Sequence, residues 1–469
     1  MDKVSGEMFS KVLVANRGEI AVRIIRSLHE LGIKSVAVYS AADRESLHVQ
    51  LADEAVCVGG ARPQESYLNM KNILAAAIGT GAQAIHPGFG FLSENSKFAE
   101  MCQACGITFI GPDAKIIDLM GNKEHARQQM KRLGVPVIPG SDDYIQDVNE
   151  AKRVAAKIGY PVLIKAAAGG GGKGIRRIND EAAMTDSFNE AQSEAKLAFG
   201  DDHMYIEKIM ENVKHIEVQV FRDQAGHAVY FPERDCSLQI NKQKVLEESP
   251  CQLVTEQERK QLGQIALRAI NGIDYLNTGT IEFLMDQDHH FYFMEMNTRI
   301  QVEHTVTEMV TGIDLVKAQL KVAAGEDLPF DQSDIQINGA AIECRINAED
   351  PNNNFMPSTG NIKYLYLPVG NLGMRIDTDL YQGAKVTPFY DSMVAKVIAL
   401  GHDRAEAIEK IKRLLNEMVI EGIKTNQEIQ LAILQDPTFI KGDFTTSYLE
   451  KVFLKRWKEN HSRNELVRS

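Results

Sequence analysis

In the run Phe291 to His304, F-Y-F-M-E-M-N-T-R-I-Q-V-E-H, the residues Glu295, Asn297 and Arg299 share one parity. A β-strand with that pattern carries a carboxylate, an amide and a guanidinium on one face. Gln301 and Glu303 continue the series. Such a stretch is either an ordinary half-exposed strand with a wet face or a strand whose polar face does chemistry. Its neighbourhood favours the second reading. Thr280 to Leu284 is another short alternating run, and Asp286 to His290 reads as a polar turn. A hairpin centred between Asp288 and His289 sets Glu282 opposite Glu295, and opposed carboxylates repel unless a cation lies between them. With Asn297 they form an all-oxygen ligand set suited to Mg2+ or Mn2+ and not to zinc, of the kind that accompanies phosphates.

The chain before this hairpin alternates strands and helices. Lys11 to Ala15 and Ser35 to Tyr39 read as buried strands, with a helix from Glu19 to Leu31 between them. Further strands are expected at Ala55 to Val58, Ala84-Ile85 and Thr108 to Ile110, which implies a mostly parallel sheet covered by helices over 1–120. The first turn, Asn16 to Glu19, lacks G-x-G-x-x-G, so no dinucleotide site is indicated there. A helical connector over 121–136 leads to a compact α+β module at 137–209, read as a mobile lid. Residues 210–338 form a larger unit, with strands at His215 to Phe221 and Ala228 to Phe231 and a helix from Thr255 to Ile270. The segments Ala340 to Arg345, Gly360 to Leu367 and Ala384 to Thr387 read as an antiparallel domain over 339–455, with a helix from Arg404 to Asn416, and 456–469 reads as a polar tail.

At 469 residues the chain has room for about three domains. Its net charge of -12, from 52 Lys and Arg against 64 Asp and Glu, argues against nucleic-acid binding by phosphate neutralisation. Cys102 and Cys105 make a C-x-x-C spacing, but no second pair completes a zinc site, so plain thiols are expected. Asp2 and Glu7 with no apolar core exclude a signal peptide, and no apolar run is long enough to span a membrane. A cytoplasmic protein without membrane insertion is the expectation.

Lys165 ends a predicted strand, and Gly169, Gly170, Gly171 and Gly172 follow, then Lys173 and Gly174. Bare N–H groups at close range make a nest for phosphate oxygens, although a purely structural glycine turn is the other reading. The order is not that of a P-loop, since Gly174 follows the lysine. Glu207-Lys208 ends the module's last strand. It suits the reading of an adenine edge, and equally a surface ion pair.

The order of mobile module, strand lysine, glycine loop and carboxylate hairpin is similar to that of the ATP-grasp superfamily. Longer runs resemble biotin carboxylases, of the kind that form subunits of bacterial acetyl-CoA carboxylases. They are A-N-R-G-E-I-A (Ala15 to Ala21), H-P-G-F-G-F-L-S-E-N (His86 to Asn95), K-A-A-A-G-G-G-G-K-G (Lys165 to Gly174), E-R-D-C-S (Glu233 to Ser237), E-M-N-T-R-I-Q-V-E-H (Glu295 to His304), E-C-R-I-N-A-E (Glu343 to Glu349) and Y-D-S-M-V-A-K (Tyr390 to Lys396). The resemblance covers residues 9 to 455. It implies an α/β and α+β chain with an ATP-grasp fold: an N-terminal parallel-sheet preATP-grasp domain, a mobile lid and a C-terminal biotin-carboxylase-type domain.

The same resemblance implies a reaction. ATP phosphorylates bicarbonate, and the carboxyphosphate breaks down to CO2, which carboxylates N1' of biotin. Arg299, Gln301, the Val302 backbone and Lys244 would hold bicarbonate, with Arg299 offering a planar fork of donors. Glu303 would be the base, and Arg345 would stabilise the biotin enolate. Glu282 and Glu295, with Asn297 beside them, would bind two Mg2+ or Mn2+ ions. ATP would take Lys123, Lys165, the glycine loop, Glu207, the Lys208 and Met210 backbones, His215, Gln239 and Lys242. Expected partners are a biotin carboxyl carrier protein, carboxyltransferase subunits and a second copy of the chain, in the first half-reaction of malonyl-CoA and fatty-acid synthesis. A biotin carboxylase subunit of another acyl-CoA or pyruvate carboxylase is the alternative. No biotin-attachment A-M-K-M motif is present, so a free-standing subunit is expected.

Four departures from the family pattern stand out. Ile240 and Lys242 replace an Arg and a His that reaches the nucleotide. Thr305 stands where a Pro usually follows Q-V-E-H, losing a fixed φ beside the loop. Phe89 replaces a common Tyr near the expected biotin pocket, and Ala167-Ala168 alters the start of the glycine loop. Changed affinities, not lost chemistry, are expected. An amino-acid ligase of the same superfamily would not need R-I-Q-V-E-H or E-C-R-I-N-A-E, and a nucleotide-sensing scaffold would not need intact reacting groups.

Overall fold

The computed structural model describes residues 8–166 and 174–459. The expectations for Asp2 and Glu7, for Ala167-Ala168 and the glycine loop with Lys173, and for the tail beyond 459 therefore lie outside the described residues. The chain divides into two compact units. The larger comprises 1–126, 214–283 and 295–469, and the smaller comprises 127–213 and 284–294.

The larger unit opens with five parallel strands, β1 (Lys11–Val14), β2 (Lys34–Ser40), β3 (Glu54–Gly59), β4 (Ala84–His86) and β5 (Thr108–Phe109), in the order β3-β2-β1-β4-β5. Helix α1 (Gly18–Glu30) follows β1 and buries Ile20, Ala21, Ile24, Ile25 and Leu28. Gly18, at φ +66°, lets the chain turn out of β1 into that helix. Asn16 in the same turn donates to the carbonyls of Pro87 and Phe89, at 2.7 Å each. The A-N-R-G-E and H-P-G-F-G runs are thus one braced corner.

The smaller unit has strands β6 (Val162–Ala166), β7 (Ile175–Ile178) and β8 (Met204–Lys208), antiparallel in the order β7-β6-β8. Helices α2 (Val148–Ile158) and α3 (Met184–Phe199) share its apolar core, which includes Ala151, Ala155, Ile164, Phe188 and Ile206. The expected connector is two helices, Ala114–Gly121 and Lys123–Arg132, broken at Asn122.

The second sheet has nine strands. They are β9 (Lys214–Arg222), β10 (Ala228–Tyr230), β11 (Arg234–Ile240), β12 (Gln243–Ser249), β13 (Asn277–Met285), β14 (Phe291–Asn297), β15 (Ala340–Asn347), β16 (Met374–Thr378) and β17 (Met393–Gly401). Their order is β14-β13-β9-β11-β12-β15-β17-β16, with β10 beside β9. Helix α4 (Glu256–Gly272) starts on a capping box between Thr255 and Glu258. The expected strand from Gly360 to Leu367 is instead two short pieces, Gly360–Asn361 and Tyr364–Tyr366.

One face of the β12-β15-β17-β16 region is apolar. Leu246, Ile342, Cys344, Ile346, Ala395 and Val397 pack there with Ile408, Ile411 and Leu414 of α6 (Arg404–Glu417), and with Ile429 and Ile433 of α7 (Gln427–Leu434). Burying each Ile, Leu or Val contributes about 1.5–3 kcal/mol. The opposite face carries Glu247 beside Glu343, and Arg345 beside Lys396 beside Asp377. Helix α5 (His304–Thr311) lies over that face, packing Val306 and Val310 on Ala341 and Ile398. The charged ladder is consequently inside the protein. Among the described residues no helix is long and apolar enough to cross a membrane.

The end of β17 lies close against the first turn of α6. A Cβ at Gly401 would overlap the backbone nitrogen of Ala407 and the carbonyl oxygen of Asp403, neither of which is free to move. Gly401→Ala is expected to cost about 1–3 kcal/mol by overpacking, read as a lowered thermal midpoint. An unchanged midpoint would show that the close approach is not needed.

Candidate active site

Lys244, on β12, is the centre of the site. Its ammonium lies 2.5 Å from Glu217 Oε2, 3.0 Å from Glu282 Oε1, 2.5 Å from Glu303 Oε1 and 3.4 Å from Gln301 Oε1. Burial alone would discharge this lysine, but the three carboxylates outweigh it and hold its pKa well above the ordinary value. The sequence H-I-E-V-Q-V on β9 explains how Glu217 comes to be inside. His215, Glu217 and Gln219 form the polar face of a strand buried on both sides. Arg234, wholly buried on β11, pairs with Glu217 and donates to Gln219 Oε1 and Thr307 Oγ1, at 2.9 Å each.

Glu303 is the N-cap of α5 and is fully buried. Its Oε2 accepts from Arg345 at 3.0 Å, while Lys244 holds its Oε1. Burial opposes its charge, yet Lys244, Arg345 and Arg234 keep its pKa well below the usual carboxylate range. Arg345 is fixed from its other side by Glu247, at 2.6 Å to Nε. Arg299 donates to Glu94 Oε2 at 2.9 Å, to the Ile300 carbonyl at 3.1 Å and to Asn297 Oδ1 at 2.9 Å. Lys244, Gln301, Glu303 and Arg345 are thus joined directly, and Arg299 is linked to them through Asn297 and Glu282. Three cations and an amide beside a buried carboxylate can seat a small planar anion and take a proton from it.

Glu282 is the second focus. Its Oε1 accepts from Lys244, Asn297 Nδ2 and Gln301 Nε2, and its Oε2 lies 3.0 Å from His215 Nε2. Burial would raise its pKa, but Lys244 and His215 hold it well below the ordinary value. Glu295 ion-pairs with Lys123 at 2.8 Å. Ligand atoms of His215, Glu217 and Glu282 lie within 4.8 Å of one another, as do those of Glu217, Cys236 and Glu303. In the second group burial, reinforced by Glu217, raises the Cys236 thiol well above its usual pKa, so it stays protonated and is a poor ligand. The carboxylates of Glu282 and Glu295 are hard donors that fit Mg2+ or Mn2+. Asn297 uses its amide nitrogen on Glu282 and its oxygen on Arg299.

The other predicted residues fall as follows. Gln239 contacts His215 Nδ1 at 3.0 Å and donates to the Cys236 carbonyl at 2.9 Å. Lys242 is exposed at the tip of the β11–β12 hairpin, where Asn241 and Lys242 both have positive φ, as a two-residue type I′ turn requires. Ile240 joins the apolar core. Phe89 is half-buried. In the smaller unit Lys165 pairs with Glu207, and the Lys208 N–H donates to the Pro139 carbonyl at 2.7 Å; Met210 follows the end of β8. Sequence reasoning did not single out Glu94, Glu217, Arg234, Glu247 or Glu343. The polar alternation of β9 and β15 was the available signal.

Thr305 occupies the position of the usual proline and donates to Glu343, which burial pushes up to about 7 against the opposing charge of Lys396. Glu247 is raised likewise, to about 8, against Arg345.

The family described as "Biotin carboxylase, N-terminal domain" matches residues 8–117, and "Biotin carboxylase C-terminal domain" matches 343–451. Between them, "Carbamoyl-phosphate synthase L chain, ATP binding domain" matches 122–330. Biotin carboxylase 1 of Bacillus subtilis is 53% identical over 444 residues, covering 94% of this chain and 98% of the relative. A pyruvate carboxylase subunit of Methanothermobacter thermautotrophicus is 49% identical over 444 residues, covering 95% and 90%. A crystal structure of the biotin carboxylase domain dimer of Hydrogenobacter thermophilus 2-oxoglutarate carboxylase, in complex with MgADP, ADP and bicarbonate, has a TM-score of 0.87 and 48% identity. It covers 95% of this chain and 98% of that one.

A carboxyl whose folded pKa exceeds the unfolded one binds a proton that unfolding releases. For Glu343 that stabilising share is complete below the ordinary glutamate value of 4.5 and is lost as pH rises through about 7. Thermal stability is expected to fall across that interval, by up to about 1.4 kcal/mol per pH unit for such a group. The fall should be shallower in Glu343→Gln. Equal slopes in calorimetry would contradict this.

Proposed function

The chain belongs to the biotin carboxylase family, an ATP-dependent ligase on the ATP-grasp fold, and from that premise we propose how its residues divide the reaction. The observation that carries the proposal is the Glu303 carboxylate held between Lys244 and Arg345, with Gln301 also against Lys244. Bicarbonate sits on Lys244, Arg299, Gln301 and the Val302 backbone, where the planar Arg299 fork orients it. Its negative charge competes with Glu303 for Lys244. Each ion pair that Glu303 loses raises its proton affinity, so binding of the substrate switches on the base that deprotonates it. The nucleophile then attacks the γ-phosphate of ATP, giving ADP and carboxyphosphate. Carboxyphosphate decomposes to CO2 and phosphate, and the phosphate takes the proton from N1' of biotin. Arg345, pinned by Glu247 and Glu303, stabilises the biotin enolate, with Phe89 near the ring. CO2 captures the enolate as N1'-carboxybiotin.

The proposed nucleotide contacts are Lys123, His215, Gln239, Lys242, Glu282 and Glu295, with Lys165, Glu207 and the Lys208 and Met210 backbones; a phosphate reaching Lys165 must compete with Glu207. Glu282 and Glu295 would hold Mg2+ or Mn2+, with Asn297 beside them, and such an ion supplies charge neutralisation for the transferring phosphoryl group.

The biotin acceptor is proposed to be carried on a separate carrier protein, with carboxyltransferase partners and a second copy of this chain. The relatives span biotin carboxylase, pyruvate carboxylase and 2-oxoglutarate carboxylase. They favour a biotin carboxylase subunit of another acyl-CoA or pyruvate carboxylase over the specific expectation of acetyl-CoA carboxylase and fatty-acid synthesis. The first test is bicarbonate-dependent ADP release with and without free biotin. Stimulation by biotin is expected, and dependence on an amino-acid acceptor would sink the reading. Arg345→Ala is expected to lower biotin carboxylation by about 10²–10³-fold while some bicarbonate-dependent ATPase survives. Parallel loss of both activities would overturn this division of labour.

A further inference from the structure

Lys396 has no solvent exposure. Taking an ammonium out of water costs several kcal/mol unless its partners compensate, and a methionine would fill the same volume without that cost. Its partners therefore identify its use. The ammonium donates to the Val302 carbonyl at 2.9 Å, lies 3.1 Å from Glu19 Oε1 of α1, and lies 6.0 Å from the centroid of the Phe89 ring. Asp377, its cross-strand neighbour, is instead taken by Arg375, at 2.8 and 2.6 Å. Neither Glu19 oxygen makes a hydrogen bond of proper geometry. Glu19, raised by burial to about 7 against the charge of Lys396, is thus the nearest of several carboxyl groups in its field, with Glu343 and Asp377, and the directed hydrogen bond of Lys396 goes to Val302.

That carbonyl belongs to the peptide that leads into Glu303. A peptide unit is planar, so fixing its oxygen fixes the orientation of the Glu303 N–H and limits where the Glu303 side chain points. The preceding carbonyl, that of Gln301, is held by His304 Nδ1 at 2.8 Å. The two side chains clamp consecutive peptides of the loop. Glu303 leaves it in a non-helical conformation, with φ -80° and ψ 13°, as the N-cap of α5.

We propose that Lys396, charge-balanced by Glu19, is a positioning residue for carboxylation: its ammonium clamps the Val302 carbonyl and so aims the Glu303 carboxylate at Lys244 and Arg345. The role rests on the reading of Gln301 to Glu303 as the bicarbonate segment. It also ties α1 of the first domain and β17 of the last to that segment through one buried ion pair.

The test compares wild type, Lys396→Met and the double variant Glu19→Gln/Lys396→Met in bicarbonate-dependent, biotin-stimulated ADP release, alongside thermal midpoints. Lys396→Met is expected to lower kcat about tenfold or more and to raise the bicarbonate KM severalfold, with the ATP KM changed by less than about twofold. The double variant removes the orphaned carboxylate, so it should regain thermal stability but keep the kinetic defect. Wild-type kinetics in either folded variant, a defect confined to the ATP KM, or activity that returns with stability would each overturn the proposal. So would failure of both variants to fold, since the pair would then be a folding element. A wild-type protein without biotin-stimulated, bicarbonate-dependent turnover would instead defeat the functional reading, whatever the variants did.

Discussion

Burying three carboxylates around a single ammonium is the constraint on which the larger unit depends. Glu217, Glu282 and Glu303 come from three different elements, and Lys244 is the cation they share; Arg234 also faces Glu217 and Glu303, His215 faces Glu282 and Arg345 faces Glu303. Loss of one partner from such a cluster costs about 3–5 kcal/mol, because the remaining charges stay buried. Arg234 and Arg345 extend the cluster, so ion pairs as well as ladder hydrogen bonds link β9, β11, β12, β13 and β15. A hydrophobic core of equal volume would be more stable. What the charged arrangement offers is a binding site already assembled, in which an incoming anion exchanges partners instead of creating them.

The fold was largely legible because most of its strands obey simple patterns. The parallel first sheet, the small α+β module and the antiparallel last domain all follow from buried runs separated by helical stretches, and the ATP-grasp class follows from their order together with the quoted motifs. The strands Arg234–Ile240, Gln243–Ser249, Met374–Thr378 and Met393–Gly401 were not read, the last for a physical reason. M-V-A-K-V-I-A-L carries one lysine in an apolar run, which looks like neither an alternating strand nor a helix face until the lysine is known to be buried. The same assumption, that charge means solvent, hid Glu217, Arg234, Glu247 and Glu343. Alternation announced a polar face on these strands, but only α5 packed over the sheet shows that part of this face is interior.

Two of the departures from the family pattern acquire local explanations. At position 305 a proline would fix φ but leave Glu343 without the hydroxyl that now donates to it. The threonine thus trades backbone rigidity for satisfaction of a buried acceptor. Ile240 and Lys242 flank the tip of the β11–β12 hairpin and divide its roles. Ile240 turns into the C-terminal core, while Lys242, at positive φ, extends into solvent, where its charge is not committed to the fold.

The depressed pKa of Glu303 looks at first like a poor property for a base, since a carboxylate stabilised by Lys244 and Arg345 holds protons weakly. The geometry resolves this. Two of its three stabilising cations, Lys244 and Arg345, are the groups on which the proposed bicarbonate and then biotin oxyanion would lean, so neither would remain fully committed to Glu303 once substrate is present, while Arg234 stays in place. A carboxylate that stays ionised in the empty site and gains proton affinity as its partners are drawn away is basic only when there is a proton to take. That behaviour requires Glu303 to keep its place while its ion pairs change. A loop whose consecutive carbonyls are anchored by His304 and Lys396 from within the protein, and not by the substrate, meets that requirement.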